Sequence, residues 1–149
     1  MHIYKRTMKR RFSLCALLLV GVAAFSQSND WTRPWHKKLF CEKDEIRMRI
    51  NLYEESIDVP GMDMFGPMSG YMNGKVYGVW MLTSHTINSD KEATLRLSND
   101  LGSETQECLL TQVNDSIYKL ELKHGVSIKK VIKNKLVKIP STLEFKVEK

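Results

Sequence analysis

From Ile46 onward, apolar and polar positions alternate with a period of two. Ile46, Met48, Ile50 and Leu52 alternate with Arg47, Arg49, Asn51 and Tyr53. Ala93, Leu95 and Leu97 stand against Thr94, Arg96 and Ser98, and Tyr118, Leu120 and Leu122 against Lys119, Glu121 and Lys123. Successive side chains of a strand point to opposite faces, so each run predicts a half-buried strand. Further strands are predicted over 76–83 (the most apolar, containing Trp80), 105–113, 126–133 and 136–139, and a last one holds Leu143, Phe145 and Val147. Asn99-Asp100-Leu101-Gly102, Asn114-Asp115-Ser116, His124-Gly125 and Asn134 supply turn residues between them. Helical periodicity is nearly absent. The pattern predicts an all-β fold: an antiparallel meander of about eight strands forming a small barrel or sandwich. The polar segment 27–45, with Trp31, Pro34 and Trp35, reads as a short N-terminal arm ahead of a single β domain over 46–149. The Gly- and Met-rich stretch 61–74 reads as a loop or a bent hairpin.

The N-terminus is built differently. Lys5, Arg6, Lys9, Arg10 and Arg11 precede an apolar stretch over 12–24, and Ala24 and Ser26 are small residues ahead of Gln27. This is the pattern of a secretory signal peptide over 1–26. A membrane anchor needs an apolar run of about 20 residues, longer than this one. The expectation is export to a bacterial periplasm or outer-membrane surface, with no transmembrane span after signal removal. The chain of 149 residues is 27% charged and 42% hydrophobic, which excludes a disordered tail, a collagen-like rod and a polytopic membrane protein. The net charge of +6 comes mostly from the five basic residues of the leader; without them 18 basic residues face 17 acidic ones. Nucleic acid is therefore not an expected partner.

Cys41 and Cys108 remain after the leader, an even pair in an oxidising compartment. They are either a disulfide, worth about 4 kcal/mol in the chain-entropy model, or two separate buried thiols. No C-x-x-C is present, so neither a thioredoxin-type motif nor a zinc ribbon is expected.

The chemistry-bearing residues form no catalytic set. Ser84 and His85 are adjacent and point to opposite faces of a strand, and Gly66-Pro67-Met68-Ser69-Gly70 is no nucleophile elbow. Glu42, Asp44 and Glu45 precede the first alternating run and Glu54, Glu55 and Asp58 follow it, as solvated strand ends do. His36, His85 and His124 lack metal-ligand spacing. Met62, Met64, Met68 and Met72 are soft thioethers suited to Cu(I), and Met62 and Met64 would share one face of a strand. Met62-Asp63-Met64 resembles the Met-x-Met pair of small periplasmic copper chaperones, but no His or Trp lies within ten residues to complete a ligand set. The alternative is methionine as adaptable apolar filler. No enzyme, metal or cofactor is expected.

Two further features bear on partners. From Lys119 onward nine lysines face three acids, while the preceding part of the mature chain carries 9 basic and 14 acidic residues. Such a face suits an anionic partner; lysines also guard exposed strand edges. Asn114-Asp115-Ser116 matches the N-glycosylation acceptor, and Asp115-Ser116-Ile117 resembles a short bacterial O-glycosylation acceptor; a plain Asx turn accounts for the same residues.

Gly78-Val79-Trp80, followed by a meander of short strands, resembles the Gly-x-Trp element of small secreted lipocalin-like β-barrel proteins. The resemblance implies a Trp packed across the closed end of a barrel, with an apolar ligand at its mouth. It implies a non-enzymatic protein binding a small apolar or amphipathic ligand, with Trp80, Tyr77, Met81, Met64, Phe65 and Tyr71 contributing to core and mouth. The second expectation is a β-sandwich envelope interaction module that binds protein or glycan through the Lys-rich C-terminal face.

Overall fold

The computed structural model describes residues 30–126 and 128–149; the predicted signal peptide and Cys15 lie outside them. Ten strands follow one another: β1 (His36–Cys41), β2 (Ile46–Asn51), β3 (Gly70–Gly74), β4 (Trp80–Ser89), β5 (Glu92–Asn99), β6 (Thr105–Gln112), β7 (Ile117–Gly125), β8 (Lys129–Ile132), β9 (Lys135–Lys138) and β10 (Thr142–Val147). Eight of them close into an antiparallel barrel in the order β1-β10-β7-β6-β5-β4-β3-β2, while β8 and β9 form a separate two-stranded sheet. The choice between barrel and sandwich is thus a barrel. Every neighbour is consecutive in sequence except at β7–β10, which the β8–β9 hairpin interrupts, and at the closing seam β1–β10. The seam pairs Leu39 with Val147 and Phe40 with Lys146. Among the described residues, no helix is long and apolar enough to cross a membrane.

The alternation read from sequence is the inward–outward alternation of the barrel. Ile46, Met48 and Ile50 on β2, Leu95 and Leu97 on β5, Leu110 on β6, Leu120 on β7 and Phe145 on β10 are each buried in one continuous core. Arg47 and Arg49 point outward and meet Glu148 across the seam, with Arg49 Nη2 at 2.9 Å from its carboxylate.

Three boundaries differ from expectation. The segment read as an N-terminal arm supplies β1, whose Leu39 and Cys41 enter the core. Its period-2 pattern is masked by Lys37, which shares the face of Leu39 and Cys41 and donates its ammonium to the Trp31 and Thr32 carbonyls, and by His36, which is buried on the other face against the Trp31 ring. The strand expected over 76–83 begins only at Trp80, because Gly78 turns the chain with φ +81. The stretch 61–74 forms a single 3-10 turn, Asp63–Phe65, before β3.

Strand registers place the connections at two ends. At one end Tyr118 opens β7 opposite Gln112 and Phe145. Its hydroxyl donates to the carbonyl of Pro34, and its ring meets Trp35 edge-on at a centroid distance of 6.1 Å. At the other end lie Trp80, opposite Met72 and Asn99, and the close of β7. There Ile128 and Ile139, joined by a backbone bond of 3.0 Å, enter the core on either side of the hairpin. Aromatic and aliphatic side chains thus stop both ends.

Candidate functional site

The hairpin β8–β9 is the one strand pair among the described residues that lies outside the barrel. Lys129 pairs with Lys138, Lys130 with Val137, Val131 with Leu136 and Ile132 with Lys135, leaving the two-residue loop Lys133-Asn134. Both loop residues have positive φ, +48 and +62, as a type I′ turn requires. Every residue from Val131 to Lys138 is exposed. Val131 at 48%, Ile132 at 39%, Leu136 at 52% and Val137 at 40% are aliphatic side chains held in solvent. Five lysines interleave with them and no acid does. Among the described residues, Lys130 alone of the five reaches a carboxylate, lying 3.8 Å from Asp44 at the hairpin root. The buried Ile128 and Ile139 hold the ribbon's base, so its exposure is a fixed feature of the fold.

At the foot of the hairpin a cavity of about 170 Å³ opens between Tyr77, Trp80, Asn99, Asp100, Leu101, Ser103, Glu104, Lys129 and Leu136. The Tyr77 amide donates to the Lys129 carbonyl at 2.7 Å, and the Trp80 indole N–H donates to the Tyr77 carbonyl at 3.3 Å. Two of the six expected ligand residues, Trp80 and Tyr77, therefore meet here: Trp80 almost wholly buried, Tyr77 exposed. Tyr71 and Met81 are cross-strand partners on β3 and β4, with Met81 buried. Met64 and Phe65 stand on the 3-10 turn, exposed, and do not line this cavity. Exposed Leu101 on the β5–β6 turn, and Leu136 and Lys129 from the hairpin, join the site without any distinct local sequence signal.

The other sequence candidates are placed as follows. Cys41 and Cys108 are both buried free thiols on β1 and β6, so the candidate disulfide is not formed. Three strand positions separate β1 from β6 around the barrel, and each thiol packs in the core on its own strand. Burial pushes the Cys108 thiol up to about 12, with the charge of Glu107 adding to it; burial also raises Cys41. Met62 and Met64 do not share a strand face, because the chain turns there, and Met72 is buried in the core. Among the described residues, no three His, Cys, Asp or Glu side chains converge to hold a metal. His85 Nε2 lies 3.0 Å from the Leu52 carbonyl oxygen, a structural tie to the β2–β3 connection. The Asn114 side chain accepts the Ser116 and Ile117 amides at 2.9 Å, forming the Asx turn expected of it, and all three residues 114–116 are exposed. Glu121, on the outer face of β7, is held down to about 2 by hydrogen bonds from Lys119 and then Lys123.

No protein-family model, curated protein or solved structure matches this chain.

Proposed function

We propose that the protein is a non-catalytic, exported binding module that attaches to a partner in the bacterial envelope through the β8–β9 hairpin. The observation that carries this is a rooted ribbon with four exposed aliphatic residues and five lysines, standing outside a barrel whose interior is filled. A packed barrel is a scaffold, and a scaffold functions through what it displays. The test is retention on isolated envelopes. The wild-type protein is expected to co-sediment with them, and reversal of Lys133, Lys135 and Lys138 to Glu is expected to release it. Undiminished retention of the triple variant overturns the proposal.

The closed eight-stranded barrel also supports the lipocalin-like reading, in which a small apolar ligand is bound. Its one specific support is the Tyr77–Trp80 cavity. At about 170 Å³ that cavity is smaller than the roughly 300–1,000 Å³ of drug-sized ligand sites, so a ligand there must be small. Saturable quenching of Trp fluorescence by a small apolar compound, lost in Tyr77→Ala, is the outcome this reading requires. We rank it second because Trp35, Tyr118, Ile128 and Ile139 occupy the ends at which a lumen would open.

A further inference from the structure

We infer that the partner of the β8–β9 hairpin is the anionic surface of a lipid bilayer, met directly by the ribbon lying in the headgroup region. This rests on the surface-binding reading above and adds the chemistry of the partner.

Charge gives the first half of the argument. Between Ile128 and Ile139 five of the ten residues are lysine and none is acidic. Lys130 is tied to Asp44, whereas Lys129, Lys133, Lys135 and Lys138 form no salt bridge among the described residues. Asp100 and Glu104 line the barrel side of the adjoining cavity, so at the foot of the hairpin the positive charge stands on the ribbon and not on the barrel wall.

The aliphatic residues give the second half. A polyanionic glycan or nucleic acid is held by cations and by aromatic stacking, and gains nothing from Val131, Ile132, Leu136 and Val137. A bilayer interface takes both kinds of group. It buries apolar side chains about 5–10 Å deep while its headgroups meet the cations.

The geometry allows both at once. Val131 lies directly opposite Leu136, and the next pair on that face, two along the ladder, is Lys129 with Lys138; Lys129 and Leu136 also border the Tyr77–Trp80 cavity, with Leu136 still 52% exposed. Lysine stems run along apolar surface and lift their ammonium groups to the phosphates, so this face can sink its aliphatic pair without burying charge. The type I′ turn fixes the ribbon in advance, which lowers the ordering cost of binding.

The experiment is co-sedimentation of the purified protein with sealed vesicles of phosphatidylglycerol and phosphatidylcholine, against vesicles of phosphatidylcholine alone. The wild type is expected to bind the anionic vesicles, to bind the neutral ones weakly, and to lose binding as salt rises. Lys133→Gln with Lys135→Gln is expected to weaken partitioning about 25-fold, roughly fivefold for each lysine near the surface. Val131→Ser with Leu136→Ser leaves the charge unchanged and is expected to weaken it by at least about tenfold. Val131→Trp supplies a reporter whose emission shifts to the blue on anionic vesicles. Equal binding to both vesicle types, indifference to the lysine pair, or no blue shift overturns the lipid assignment. The two readings fail separately. Hairpin-dependent retention on whole envelopes with no binding to protein-free vesicles overturns the lipid partner alone, whereas hairpin-independent retention on envelopes overturns the surface-binding reading as well.

Discussion

Gly78 shows how one backbone position sets the foot of the site. Its φ of +81 belongs to the left-handed region, and a Cβ there would lie 3.0 Å from Asp100 Oδ1. The turn it permits brings the Tyr77 carbonyl to the Trp80 indole at 3.3 Å. Gly78→Ala is expected to cost about 1–2 kcal/mol, the penalty of that conformation for an L-residue, read as a lower urea midpoint at unchanged slope. Cys108 offers a pH test. Its folded pKa is about 12 against an ordinary 9.0. Below pH 9 both states keep the proton, and the group adds no pH dependence. Between 9 and 12 the unfolded thiol ionises and the folded one does not, so stability falls by about 1.4 kcal/mol per pH unit from this group. Urea titrations from pH 8 to 11 are expected to show a shallower decline for Cys108→Ala, from a lower starting stability. At this scale the inward residues Ile46, Met48, Ile50, Leu95 and Leu97 were legible from alternation alone. The fate of the two cysteines was not, because bridging depends on where β1 and β6 fall around a closed barrel, and spacing in sequence carries no such angle.

Among the elements, β8–β9 is the one whose position in the fold is least written in its own residues. Asn134 was legible as a turn, and the runs on either side of it read as strands. Lys129-Lys130-Val131-Ile132 and Lys135-Leu136-Val137-Lys138 lack the period-two alternation of the barrel strands and mix lysine with aliphatic residues on both faces, which shows that the pair has no wholly apolar face but not where it lies. The difference lies in Ile128 and Ile139, which enter the core and leave the ten residues between them projecting. The β4 boundary is hidden for a related reason: Val76 and Val79 look like strand residues, but Gly78 bends the chain between them. The turn at Lys133-Asn134 carries its own prediction. Asn tolerates the left-handed conformation and Gly adopts it freely, so Asn134→Gly is expected to keep the hairpin intact. Asn134→Val places a β-branched side chain at φ +62 and is expected to unpair Ile132 from Lys135. Loss of amide-exchange protection in 129–138, with the barrel amides unchanged, is the readout. Vesicle binding is expected to weaken in parallel, because the ribbon must then be ordered at the moment of contact.

At the scale of the whole molecule, the fold depends on a seam that joins the two ends of the described chain. The all-β meander was legible because each hairpin is local. Closure was not, since the pairing of Leu39 with Val147 spans 108 positions and leaves no periodic trace. The seam is narrow: two registered pairs, the Glu148 amide to the Lys38 carbonyl at 2.8 Å, and the Arg49–Glu148 ion pair at 2.9 Å. The strand β10 nevertheless does two things at once. It covers the edges of β1 and β7, and it delivers Leu143 and Phe145, both almost fully buried, to the core opposite Leu120 and Tyr118. Deleting 142–149 exposes two strand edges and empties two large core positions, each costing about 2–5 kcal/mol on truncation to Ala alone. That sum reaches the roughly 5–15 kcal/mol by which a domain is stable, so the shortened chain is expected to lose cooperative unfolding and near-ultraviolet dichroism. Glu148→Gln separates the two contributions. It weakens a partly buried ion pair while leaving β10 in place, and is expected to cost about 1 kcal/mol with cooperativity retained. A cooperative melt from the deleted chain would mean that the remaining seven strands hold as an open sheet, and that closure serves to position the hairpin beside Tyr77 more than to stabilise the core.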